Sequence, residues 1–146
     1  FEGKSMPQLK QLPDGSMGLE GSAAGQGEFV PASFTWSPTS TDAPFFTATR
    51  PLVVQAITAT VEVAGTDAGA VTAVIRKAPS GTALASGTAL HSGSINLKGT
   101  AATNQALTLS TTSGVVNLAA GDRLAFDLTG VMTSAVGSVT VHMTVA

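Results

Sequence analysis

The clearest signal in the chain is a two-residue alternation of apolar and polar side chains. From Ser138 to Val145, the apolar Val139, Val141, Met143 and Val145 alternate with Ser138, Thr140, His142 and Thr144, the pattern of a half-buried antiparallel strand. Arg123–Thr129 repeats it, with Leu124, Phe126 and Leu128 on one face and Arg123, Ala125 and Asp127 on the other. VPASFTWSP sets Val30, Ala32, Phe34 and Trp36 against Pro31, Ser33, Thr35 and Ser37, and Pro38 closes it as a first or edge strand. In the run Leu52–Val63, Val53, Ile57, Val61 and Val63 share one face and Thr58, Thr60 and Glu62 the other. The turn sequence GTDAG, Gly65 to Gly69, then leads into AVTAVIRK at 70–77, so the two segments read as a hairpin. Between Gly81 and Gly93 the hexad GTALxS occurs twice, too few copies for a solenoid, and reads as two short strands with Ser-Gly corners. Further strands are expected at Gln105–Ser110 and Val115–Leu118. Helix is expected to be near zero, at most a turn in the N-terminal region or around 117–120.

Eight or so short strands separated by Gly, Ser, Thr and Asn turns predict an all-β fold, an antiparallel β-sandwich of jelly-roll-like form. Composition agrees: 146 residues contain 20 Thr, 14 Ser and 16 Gly but no Tyr, a mixture that suits strands and tight turns. The length fits one domain.

The first 28 residues differ. From Phe1 to Gln26, Gly and Pro recur every few residues and neither a period of 2 nor one of 3.6 persists, so residues 1–28 read as an extended, irregular N-terminal arm ahead of a sandwich at 29–146. The arm carries Met6, Leu9, Leu12, Met17 and Leu19, apolar side chains that a solvating linker does not need. They suit either a strap over the chain's own core or docking onto another subunit.

Charge and cysteine narrow the chemistry. The formal net charge is −2 and only 11% of residues are charged, which gives nucleic acid no electrostatic footprint. The longest apolar stretches are interrupted well before the roughly 20 residues of a membrane span. Cysteine is absent, which removes disulfides, thiolate nucleophiles and cysteine-based metal sites. GxSxG, a Walker loop and a complete GxGxxG are missing, and Asp42 and Asp67 lack the spacing of a calcium loop. No metal or cofactor is expected. Asp122, in AAGDR, reads as a turn residue, and Asp127 either as a partner for a neighbouring Arg or Lys or as a solvated carboxylate. His91 and His142 read as surface residues. Phe29, Phe34, Trp36, Phe45 and Phe46 crowd into eighteen positions. They form either one end of the core or an exposed platform for a sugar or protein, anchored by Trp36.

LAAGDRLAFDLTG, Leu118 to Gly130, followed by a small-residue turn and GSVTVHMTVA, resembles the C-terminal half of the small β-sandwich decoration, cement or head-fibre proteins of tailed bacteriophages. Similar LxxGDxLxL segments occur in trimeric jelly rolls of the C1q and tumour-necrosis-factor type, but the collagen-like repeat or heptad stalk of those proteins has no counterpart here. The phage resemblance implies a non-enzymatic virion protein, commonly a homotrimer, on the outer capsid surface. Its partner would be the major capsid protein, whose neighbouring subunits it would bridge through Met6, Leu9, Leu12, Met17 and Leu19. The competing expectation is a carbohydrate- or receptor-binding module that uses Trp36.

Overall fold

A computed structural model describes residues 9–11, 17–19 and 28–146. Within the arm, β1 (Leu9–Gln11) and β2 (Met17–Leu19) pair antiparallel, Leu9 opposite Leu19.

Ten strands follow: β3 (Phe29–Trp36), β4 (Ala43–Thr47), β5 (Leu52–Val63), β6 (Thr72–Ala78), β7 (Thr88–Ala89), β8 (Ile95–Asn96), β9 (Thr103–Leu107), β10 (Asn117–Leu118), β11 (Arg123–Thr129) and β12 (Val136–Val145). They form two antiparallel sheets. In the first the order is β3-β12-β5, with β9 and β10 sharing the far edge of β5; in the second it is β4-β11-β6, with β7 and β8 sharing the far edge of β6. Counting β7 with β8 and β9 with β10 as single positions gives the strand orders 1-8-3-6 and 2-7-4-5, the jelly-roll arrangement of two Greek keys.

The core lies between the sheets and is built from the inward members of the alternating runs. Leu124 and Phe126 of β11, Val139, Val141 and Met143 of β12, and Ala73 and Ile75 of β6 are all buried. Phe126 stacks on Phe34 with ring centroids 4.6 Å apart and on Trp36 at 5.8 Å. These rings tie the first sheet to the second. Gly137 lies against the Trp36 ring and the Thr60 carbonyl, both of which a methyl group there would overlap. Gly130, with φ +104°, makes the turn out of β11 directly beneath the Ala70 carbonyl.

Three expectations need correction. β5 and β6 do not form a hairpin: β5 pairs with β12, β9 and β10, while β6 pairs with β11, β7 and β8, so GTDAG carries the chain between sheets. Local turn chemistry cannot distinguish these outcomes, because partners distant in sequence decide them. Along β5 the inward set is Leu52, Val54, Ile57, Ala59 and Val61 rather than Val53 and Val63. Register shifts against β12 set Met143 opposite Val54 but His142 opposite Ala56, and Gly137 opposite Val61 but Val136 opposite Val63; an inserted residue changes which face the next side chain takes. The first GTALxS copy forms a 3-10 turn at Leu84–Ser86, not a strand. Gly87, just after it, sits so close to the Lys77 carbonyl that only a residue without Cβ fits.

Candidate functional surfaces

The two flanks of the sandwich are built differently. On one flank, β7 continues to Ser92 and makes bonds to both sheets. Leu90 N–H donates to Ile75 O at 3.0 Å, in the second sheet. Ser110 N–H donates to Leu90 O at 2.8 Å, and Ser92 N–H to Thr108 O at 2.9 Å, from the strand that runs on from β9 in the first sheet. His91 and Leu109 form the bridge at this seam. The expected surface histidine is therefore a buried one, only 4% exposed. Its Nε2 accepts a hydrogen bond from Ile75 N–H at 3.0 Å, and its Nδ1 lies 3.1 Å from the Ser92 carbonyl. Since a carbonyl only accepts, Nδ1 carries the proton and the ring is neutral. Burial is the main cause holding its pKa below the ordinary 6.5; the Ser92 carbonyl opposes this, and the Arg76 charge adds to it. A shallow groove of about 340 Å³ opens beside the ring, lined by Ser92, Thr108, Ser110 and Thr111 among others.

Among the described residues the opposite flank is open. β3 and β4 are the outer strands there. Val145 N–H donates to Glu28 O, so Glu28, Val30, Ala32, Phe34 and Trp36 direct their backbone groups at β12 while Phe29, Pro31, Ser33 and Thr35 direct theirs outward. Pro31 thus removes one donor from the free edge, and Pro44 lies on the other edge strand.

The outer face of the first sheet carries rows of hydroxyl side chains. Ser33, Thr140 and Thr58 lie side by side across three strands, and Thr35, Ser138, Thr60 and Asn104 across four. Ser33 and Thr140 share a hydrogen bond of 3.0 Å, and Thr60 donates to Asn104 at 2.6 Å. His142 is exposed on this face, as expected, with Nε2 3.3 Å from the Thr58 hydroxyl. These rows contain no charged side chain.

Among the described residues the basic side chains are occupied within the fold. Lys77 Nζ donates to the Gly114 and Asn117 carbonyls, Lys98 Nζ to those of Asp67 and Gly69, and Arg123 to those of Pro79 and Thr82. Arg76 pairs with Asp127 at 2.5 Å, which decides between the two roles open to that carboxylate, and Arg50 pairs with Glu28 at 3.1 Å. Asp122 accepts from Ala119 N–H at 2.9 Å in its turn, also as expected, and Asp42 accepts from Leu128 N–H at 2.8 Å. Among the described residues no group of His, Asp and Glu is arranged to hold a metal ion, and no helix is long and apolar enough to cross a membrane.

Trp36 is fully buried. It is core, so it offers no platform to a sugar or protein. Among the described residues the exposed aromatic is Phe29, 76% accessible at the start of β3; an aromatic beginning an edge strand was the signal available for it. Met6 and Leu12 lie outside the described residues, and for Leu9, Met17 and Leu19 only the β1 and β2 backbone is described.

No protein-family model matches the chain, and a search of the curated proteins finds no match. Among solved structures, the fold is similar to that of a chain in the "Cyanophage Pam1 capsid asymmetric unit", with a TM-score of 0.53 and 15% identity, over 94% of this chain and 98% of that one. A chain of the "Structure of infectious bursal disease virus Gt strain" aligns with a TM-score of 0.24 and 12% identity, over 97% of this chain and 43% of that one. What the comparisons establish is the fold: this chain shares its architecture, nearly end to end, with a chain of a phage capsid asymmetric unit.

Proposed function

We propose that the protein is a non-enzymatic structural component of a phage virion. In this reading it binds the outside of the assembled capsid as a homotrimer and bridges neighbouring capsid subunits. The observation that carries the reading is the nearly full-length fold similarity to a chain of a phage capsid asymmetric unit. Rows of uncharged hydroxyl side chains across the first sheet and described basic side chains engaged within the fold are compatible with it, since such surfaces meet another protein without displacing many counterions. The arm residues Met6, Leu9, Leu12, Met17 and Leu19 are assigned the capsid contact.

By binding only the assembled state, such a protein stabilises it by about RT ln(1 + [L]/Kd) per site. The test mixes purified protein with empty capsids assembled from the major capsid protein of the same phage and sediments them. Saturable co-sedimentation is expected, little changed between low and high salt, and absent after deletion of residues 1–26 while the sandwich stays folded. Failure of the full chain to sediment with capsids sinks the reading; retained binding by the truncated chain sinks the assignment to the arm. Light scattering should give three times 14.5 kDa at all concentrations, and a strict monomer removes the trimer.

A further inference from the structure

The ladder between β6 and Thr88–Ser92 lacks one of its own bonds. Ile75 faces Leu90 where an antiparallel pair exchanges two hydrogen bonds. Leu90 N–H supplies one, to Ile75 O, but Leu90 O is turned to Ser110 N–H in the strand continuing from β9. The Ile75 N–H left over is buried at a residue with no exposure, and the His91 ring takes it. An imidazole stands where a backbone carbonyl would be, which lets one strand bond to both sheets.

That substitution makes the seam dependent on a titratable acceptor. We propose that His91 is an acid-labile latch: in mildly acidic solution Nε2 takes a proton from solvent, two N–H donors then face each other, and Thr88–Ser92 is released from β6 while the rest of the sandwich stays folded.

The surroundings contain little that would stabilise an imidazolium. From β6 the ring faces the Arg76 guanidinium, which also donates to the Gly87 carbonyl. Asp127 of β11, the nearest carboxylate in that network, is engaged by Arg76, and Lys77 is directed at the Gly114 and Asn117 carbonyls. From the other side, Thr108, Leu109, Ser110 and Thr111 bring hydroxyl and aliphatic groups and no charge. Solvent reaches the ring through the groove that these residues line. The depressed imidazole pKa fits this setting: a neutral ring is favoured in the fold, so its stabilising effect is complete above pH 6.5 and declines below it.

The experiment is NMR on the full chain from pH 7.5 to 5, following the His91 ring and the exchange protection of backbone amides. His91 should titrate below the ordinary 6.5. Across its midpoint, protection at Ile75 and Leu90 should fall by about tenfold or more, while Val141 and Phe126 keep theirs. In His91→Gln, whose side-chain carbonyl accepts the same N–H but does not titrate, the fall should vanish. Unchanged Ile75 protection as His91 titrates overturns the latch, and so does an equal fall in the glutamine variant. Should that variant not fold, coincidence or separation of the His91 and Ile75 midpoints in the wild-type chain decides.

Discussion

The two flanks of this sandwich solve the same problem with different forces. On the His91 flank the sheets are joined by directional backbone bonds, Ser110 to Leu90 and Ser92 to Thr108. On the β3–β4 flank no ladder crosses between the sheets; Phe34 meets Phe45 of β4 at 5.7 Å and Phe126 of β11 at 4.6 Å. Ring contacts are insensitive to proton concentration and largely non-directional, whereas the ladder fixes register and depends on one acceptor that titrates. The difference also accounts for the prolines. A flank closed by side chains leaves its strand edges without a partner among the described residues, and Pro31 and Pro44 interrupt those edges where a foreign strand would otherwise pair.

The largest effect should follow from removing the ring shared by the aromatic contacts. Phe126→Ala is expected to lower stability by about 3–5 kcal/mol, by the same amount at pH 7.5 and pH 5.5, as read from urea midpoints. A strongly pH-dependent loss would mean that the flanks are not independent. His91→Ala should cost less, about 1–3 kcal/mol at pH 7.5, for the buried Ile75 N–H left without a partner. Its deficit should shrink toward pH 5.5, because the wild-type chain loses its neutral-histidine contribution as pH falls below 6.5. A constant deficit would show that the ring acts by packing alone. The smallest effect on stability belongs to Pro31→Ala, within about 0.5 kcal/mol; its signature is self-association with concentration, read by light scattering, as the β3 edge regains a donor. Unchanged scattering would show that the proline does not guard the edge.

How much of this was legible depends on whether the signal was local. β11 and the core of β12 are visible in the alternation of Leu124, Phe126 and Leu128 and of Val139, Val141 and Met143, because a strand's own side chains report its buried face. β5 was visible as a strand but with its faces misassigned, since the bulges lie in its pairing with β12 and leave no mark on its own text. β4, APFFT, has no alternation and contains a proline, so its partner β11 defines it. The seam was not legible: His91 lies among Ser, Thr and Gly, residues that suggest surface, and only the return of Leu109 to its side buries it. Trp36 was open between core and platform until the second sheet's Phe126 was set against it. The contact set on the arm came from composition and resemblance, and its test lies in binding.

The pairing of β3 with β12 has a further consequence. Phe29 stands opposite Thr144, and Val145 N–H reaches Glu28 O, so the polypeptide enters and leaves the sandwich at one pole, side by side. The connections at 37–42, 64–71 and 130–135, together with exposed Val63 and Val131, occupy the other. Any chain that continues from either end of the sandwich therefore departs from the same pole, and the three connections at the other pole stand clear of both departure points.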